Sequence, residues 1–174
     1  MESLYWDNLL YKPMMSTIRG SYYGVISQEE LEDDLFNIAK RAIATFKFPH
    51  VSLDYRTFYA VHDENDNSKL VEVDADAEEA VEHGVFVNEI GQREIEVILA
   101  WMKVYWIESL LSNADDFEIT YTDSNIKTFS RANLVQQNLN RYKEFLAQAH
   151  EIETRYSRVA ESGGAALGKI NEDN

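Results

Sequence analysis

The strongest hydrophobic pattern in the chain lies between Glu94 and Leu111, where apolar side chains recur at almost every turn of a helix. A helix that is apolar on nearly all sides normally lies inside a structure. Lys103 and Glu108 interrupt the run, which is too short to span a bilayer. The segment is therefore predicted to be the buried central helix of a bundle. Its first stripe contains Ile95, Ile98, Leu99, Met102 and Trp106, and its second contains Val97, Trp101, Val104 and Leu111.

A second helix is predicted to start at Ser27-Gln-Glu-Glu30, which has the spacing of a capping box. In this motif the serine oxygen accepts a hydrogen bond from a free backbone amide while the glutamate reaches back to the serine amide. Acidic residues crowd the first turns and basic residues follow, as the helix dipole favours. Pro49 is expected to end the helix. Its apolar stripe contains Leu31, Leu35, Ile38, Ala39, Ala42, Ile43 and Phe46.

A third, much longer helix is predicted to begin around Phe129 or Ser130. The narrow stripe of apolar residues, spaced by three or four, indicates one helix packed along the length of a bundle. The glycine-containing stretch 162–168 is expected to stop this helix, which leaves residues 159–174 as a flexible tail. The stripe contains Ala132, Val135, Leu139, Tyr142, Leu146, Ala149, Ile152 and Tyr156.

Between the first two helices, residues 51–61 alternate apolar with polar side chains and are rich in strand formers. Residues 70–73 are predicted to return as a second strand and residues 84–87 to form a third. The acidic stretch 74–83 is either a short helix or a loop. The predicted fold class is therefore mainly α: a helical bundle over 27–158 with a long C-terminal helix and a small antiparallel β insertion at about 51–90.

Residues 1–26 form a separate aromatic segment, punctuated by Pro13, Gly20 and Gly24. So many large apolar groups near a terminus require cover. Either the segment folds back onto its own bundle, or it docks as an arm on a neighbouring subunit. The candidate interface residues of such an arm are Tyr5, Trp6, Leu9, Leu10, Tyr11, Tyr22 and Tyr23.

Charge and cysteine content narrow the function classes. The formal net charge is -15, from 31 acidic and 16 basic residues, which argues against a protein that grips phosphate backbones through cationic contacts. Such a surface still suits a conduit through which nucleic acid passes without sticking. The chain has no cysteine, which removes disulfides and thiol chemistry. Its first residues lack the pattern of a signal peptide, so synthesis in the cytoplasm is expected.

No catalytic, cofactor-binding or metal-binding residue is predicted, because no motif with a chemical mechanism is complete. The four histidines, His50, His62, His83 and His150, share no ligand spacing, and each is expected to be a surface or turn residue. Residues 63–74 partly resemble a calcium loop, but serine stands where that loop needs glycine, so a solvated hairpin turn is favoured. The oxygen ligands of that loop would be Asp63, Asn65, Asn67 and Asp74.

Acidic residues also provide half of another motif. Helical magnesium-dependent nucleotide pyrophosphohydrolases pair a Glu-Glu-x-x-Glu block with a later Glu-x-x-Asp. Here Glu78, Glu79 and Glu82 have the first spacing, but the only Glu-x-x-Asp pair, Glu30 and Asp33, precedes them. We keep such an enzyme as the alternative function; it requires these acids to converge in a cleft and hold magnesium.

The chain resembles a family of structural proteins. The run from Glu94 to Glu108, the segment Lys127-Thr-Phe-Ser-Arg-Ala-Asn-Leu134 and the long helix after it are similar to the head-to-tail connectors of tailed bacteriophages. Within that group the chain is most similar to the ring proteins below the portal in crAss-like phages. The resemblance covers roughly residues 27–158, and it lies in the order of elements and the hydrophobic pattern.

The resemblance implies a virion structural protein, not an enzyme, that forms a ring in the phage neck and joins the capsid portal to the tail. Such a connector is expected to be a dodecamer. Its partners would be the portal and the next neck or tail ring protein, and DNA would pass without specific binding. Neither a cofactor nor a membrane is implied. The expected location is the head–tail junction of the virion.

Overall fold

The computed structural model describes residues 4–17, 27–63, 66–112 and 131–167. A short π-helical stretch, Asp7–Tyr11, leads into the first α-helix, and a three-stranded sheet separates the second helix from the third. The elements are α1 (Lys12–Thr17), α2 (Gln28–Thr45), β1 (Tyr55–Asp63), β2 (Asp66–Val73), β3 (Val81–Phe86), α3 (Gln92–Ser112) and α4 (Arg131–Leu167).

The start of α2 confirms the predicted capping box. The Glu30 amide donates to Ser27 Oγ at 3.2 Å, and the Ser27 amide donates to Glu30 Oε2 at 3.0 Å. The helix ends at Thr45, ahead of Pro49, and Phe46 already has an extended backbone. Its apolar stripe is buried as predicted, since Leu35, Ala39 and Ala42 are almost inaccessible to solvent.

The predicted insertion is present as an antiparallel sheet with strand order β2-β1-β3. In the β1–β2 hairpin, Val61 faces Val71 and Tyr59 faces Val73. The third strand begins at Val81, three residues before the predicted start, and residues 75–79 form turns that include Glu79 with φ of 62°. Residues 74–80 are therefore a connector of turns and not a helix.

The prediction of a mainly α fold was wrong, because the structure is mixed α and β. The sheet is a structural layer and not an appendage: Phe58, Ala60 and Val85 form a small core of their own, while Phe86 belongs to the main core. Strands β2 and β3 have 8 and 6 residues, whereas the predicted strands 70–73 and 84–87 were shorter, so the sequence understated the size of the sheet.

The central helix is buried as predicted. Val97, Ile98, Met102 and Ile107 in α3 are fully enclosed, Trp101 is only 5% exposed, and Trp106 is half-buried. Helix α4 packs antiparallel to α3, because Tyr156 bonds to Glu94 while His150 contacts Trp101 further along α3. None of the helices among the described residues has the length and apolar character of a bilayer span.

Helix α4 continues to Leu167, so the prediction that the stretch 162–168 stops the helix was wrong for its described part. Glycine lowers helix propensity by about 1 kcal/mol relative to alanine but does not forbid helical backbone angles. The neighbouring Ala160, Ala165 and Ala166 are strong helix formers. Residues 168–174 lie outside the described residues, so the predicted flexible tail stays a prediction there.

Candidate functional site

The candidate interface residues near the amino terminus pack into the core of their own chain. Trp6 and Leu10 have no accessible surface and Tyr11 is 4% exposed, while Tyr5 and Leu9 are half-buried. For residues 4–17 the structure therefore shows the first of the two alternatives, a segment folded back onto its own domain. Tyr22 and Tyr23 lie outside the described residues, so their proposed interface role stays a prediction.

Gly84 explains how the tryptophan fits. The Trp6 ring lies over the backbone of β3 so closely that a Cβ on Gly84 would be 2.2 Å from the ring. Around it stand three further rings, at centroid distances of 5.6 Å to Phe36, 4.7 Å to Tyr55 and 5.6 Å to Phe86. Tyr5 also forms a β-bridge with Val85 at the outer edge of β3. The amino-terminal segment thus covers both a face and an edge of the sheet.

Beside Trp6, five side chains from four elements form a polar cluster in which Glu32 and His83 are buried, and which we call the histidine cluster: Asp7, Gln28, Glu32, His62 and His83. His83 Nδ1 lies 3.1 Å from Asp7 Oδ1, and His62 Nε2 lies 2.7 Å from Glu32 Oε1. Gln28 Nε2 donates to the same Glu32 oxygen at 2.9 Å. The cluster joins the amino-terminal segment, α2, β1 and β3.

Several buried polar atoms of the cluster lack hydrogen-bond partners within the described ranges of the chain. Asp7 Oδ2, Glu32 Oε2 and His83 Nε2 have no hydrogen-bond partner among the described residues, and His83 Nε2 stands 3.8 Å from Glu32 Oε2. The hydroxyl of Tyr11 has none either. Burial raises the pKa of Tyr11 above its usual value, and the charges of Asp7 and Glu32 raise it further. The tyrosine hydroxyl therefore stays protonated in this environment.

The prediction for His83 was wrong, because this histidine is fully buried and not a surface residue. Val81, His83 and Val85 alternate along β3 and are all buried, so the two-residue period of a strand carried the signal. It was missed because residues up to 83 were assigned to a helix or loop. His62 is half-buried on β1, whereas His50 and His150 are exposed as predicted.

A second polar group, the tyrosine clamp, fixes α4 to the rest of the domain. Tyr156 Oη donates to Glu94 Oε1 at 2.6 Å and accepts from the His50 amide at 2.8 Å. One turn earlier in α4, Glu153 Oε1 accepts from the Lys47 amide at 2.9 Å. Burial raises the pKa of Tyr156 to about 12, and the hydrogen bond to Glu94 contributes in the same direction.

Neither acidic candidate from the sequence forms a metal site among the described residues, where no group of three or more histidine or acidic side chains is placed to hold an ion. Glu78 and Glu79 are exposed in the turns before β3, and Glu82 lies on that strand. The pyrophosphohydrolase alternative therefore gains no support from their arrangement. In the partial calcium loop, residues 66–73 form strand β2 and not the predicted turn, and Asp66 pairs with Asp63 of β1.

A groove of about 270 Å³ lies between α3 and α4. Its floor is apolar and its rim carries both signs of charge. The lining residues are Glu96, Leu99, Ala100, Lys103, Phe145, Gln148, Ile152 and Arg155.

Comparison with protein-family models, with curated proteins and with solved structures found no match for this chain.

Proposed function

We propose that this chain is a ring-forming structural protein of a bacteriophage neck, which joins the portal to the tail around the DNA channel. The observation that carries the proposal is the length of α4. With 37 residues it extends for about 55 Å, whereas the 21 residues of α3 extend for about 32 Å. A helix this much longer than its packing partner reaches beyond the domain that holds it.

The position of the tyrosine clamp shows which part of α4 extends beyond the start of α3. Tyr156 bonds to Glu94, close to the first turn of α3, and to the loop that follows α2. From Tyr156 the helix continues to Leu167, a distance of about 16 Å. A helical extension is a usual means of contacting a neighbouring subunit in an assembly, and the resemblance implies such neighbours.

Charge supports the same role. The net charge of -15 opposes tight binding to phosphate groups, so DNA would move past this surface without being held. Twelve copies, contact with the portal and a location at the head–tail junction follow from the resemblance and belong to the proposal.

The test is to express the full chain alone and together with the portal protein of the same phage genome, and to measure mass and symmetry by native mass spectrometry and electron microscopy. The expected result is a twelve-copy ring bound to the portal. A chain that stays monomeric alone, and forms no ring in the presence of the portal, would contradict the proposal.

A truncation examines the contribution of α4. A chain that ends at Arg158 is expected to keep its melting temperature, because the clamp is retained, but to lose the ring. A chain that ends at Leu167 is the matched control and is expected to assemble. Assembly of both chains would show that the projecting part of α4 is not needed.

A further inference from the structure

The groove between α3 and α4 faces away from α2. On α3, Tyr105 and Glu108 point towards α2, where they contact Thr45 and Arg41. With 3.6 residues per turn, Leu99 and Lys103 lie on roughly the opposite side of α3. The groove is therefore on the outer side of the α3–α4 pair, where no other described element covers it.

A protruding surface lies elsewhere, in the loops that follow α2 and β3. We call it the end patch and define it as Lys47, Phe48, Asp54, Val87 and Glu89. Phe48 is 65% exposed and Val87 is 60% exposed, the two largest values among the large hydrophobic residues that the structure describes. A phenylalanine exposed to this degree indicates a contact with another molecule more often than an exposed small apolar residue does.

Hydrogen bonds hold the end patch in position. On either side of Phe48, the Lys47 amide donates to Glu153 and the His50 amide donates to Tyr156. The Val87 amide donates to the Asp54 carbonyl at 2.9 Å, which joins the two loops. The backbone on either side of Phe48 is therefore held in place, which lowers the entropic cost of binding through this residue.

The groove and the end patch are complementary in size and in charge. At about 270 Å³ the groove is smaller than the roughly 300–1,000 Å³ of most drug-sized ligand sites, and its floor of Leu99, Phe145 and Ile152 suits a single large apolar side chain. The groove rim has two cations, Lys103 and Arg155, and one acid, Glu96. The end patch has the reverse, with two acids and one cation.

We propose that the end patch of one copy docks into the α3–α4 groove of a second copy, with Phe48 seated against the apolar floor. The inference rests on the proposed ring function and identifies the contact that builds the ring. Because the two surfaces are different parts of the chain, the contact is head-to-tail. Such a contact repeats from copy to copy, and it closes into a ring when the rotation between copies permits.

Disulfide trapping tests the contact directly, because the chain contains no cysteine. One batch carries Lys47→Cys, which is exposed next to Phe48 and leaves that anchor in place, and a second batch, with a size tag, carries Gln148→Cys at the groove. Mixed and mildly oxidised, the two are expected to form a disulfide-linked heterodimer. The matched control replaces the second variant with Thr154→Cys, which is exposed on the same helix but directed away from the groove.

The two proposals can fail separately. If the wild-type chain forms rings but the Lys47→Cys and Gln148→Cys pair links no faster than the control pair, the contact is overturned and the ring function stands. If that pair links selectively while no ring forms with or without the portal, the contact stands and the ring function falls.

A substitution gives an independent measurement. Phe48→Ala is expected to weaken self-association by at least tenfold in sedimentation experiments, as buried aromatic anchors do at other interfaces. Its melting temperature is expected to be unchanged because Phe48 is exposed. Met15→Ala, at another partly exposed apolar residue, is the control. Unchanged association of Phe48→Ala would overturn the proposal.

Discussion

The histidine cluster and the tyrosine clamp contain similar polar side chains. The polar atoms of the clamp are paired by hydrogen bonds, whereas several of those in and around the cluster are not, within the part of the chain that the structure describes. In the clamp, the Tyr156 hydroxyl donates a hydrogen bond to Glu94 and accepts one from the His50 amide. Within the cluster an oxygen of Asp7, and beside it the Tyr11 hydroxyl, have no partner among the described residues. Buried polar groups stabilise a fold when they are paired and oppose it when they are not. The clamp therefore stabilises the docking of α4, whereas the cluster depends on the apolar packing around it.

The largest effect is expected from removing that apolar packing. Trp6→Ala would leave a large cavity between the amino-terminal segment, α2 and β3, and would expose the under-satisfied cluster to solvent. The free energy of unfolding is expected to fall by about 3–5 kcal/mol, measured by chemical denaturation. Met15→Ala, nearby and partly exposed, is expected to change it by less than about 0.5 kcal/mol. Similar losses in the two variants would show that the segment is not docked.

A glycine in each region lies against a side chain, and replacing it with alanine tests whether that side chain can move. Gly84→Ala places a methyl group against the Trp6 ring, which cannot move aside, and is expected to cost about 1–3 kcal/mol or more. Gly91→Ala meets the Glu94 carboxylate at 2.6 Å, and that side chain is flexible at its far end. The second variant is expected to be clearly less destabilised in the same denaturation experiment. The reverse order would contradict the packing described for Trp6.

Removing the two hydroxyl groups tests the comparison most directly. Tyr156→Phe leaves Glu94 and the His50 amide without their partner, so the free energy of unfolding is expected to fall by about 1–3 kcal/mol. Tyr11→Phe removes a hydroxyl that has no partner, and it is expected to be neutral or stabilising. Equal losses in the two variants would mean that Tyr11 is paired as well as Tyr156 is.

The smallest effect concerns alkaline pH. The pKa of Tyr156 is raised from 10.0 to about 12, so the folded protein favours the neutral phenol. This contribution to stability is complete below pH 10 and is lost as the pH rises towards 12. Measured between pH 9 and 12, the stability difference between the wild type and Tyr156→Phe is expected to shrink. A constant difference would indicate that the tyrosine titrates normally.

Periodicity and capping predicted most of the helical part. The Ser27–Glu30 capping box fixed the start of α2, and an all-round apolar surface identified α3 as the buried helix. The sheet was predicted in outline, but the start of β3 was missed because Asp74–His83 combines acidic residues with alanines. That one misassignment also hid His83, and with it the histidine cluster.

What the sequence did not reveal depends on contacts between distant segments. The residues around Asp7 and His83 in the sequence do not indicate that the two side chains are in contact. Nor do they indicate that the Trp6 ring packs against Gly84. The clamp was hidden for the same reason, since Tyr156 was recognised only as part of an apolar stripe. The groove and the end patch arise from how α3, α4 and two loops are arranged, which no single stretch of sequence encodes.

The contact between Asp7 and His83 has a consequence for the order of folding. The two residues are separated by 76 positions along the chain. Closing so long a loop carries an entropic cost before any contact can repay it, whereas α2 and the β1–β2 hairpin form from near neighbours. The amino-terminal segment should therefore settle after α2 and the β1–β2 hairpin, and the outer edge of β3 should stay open until it does.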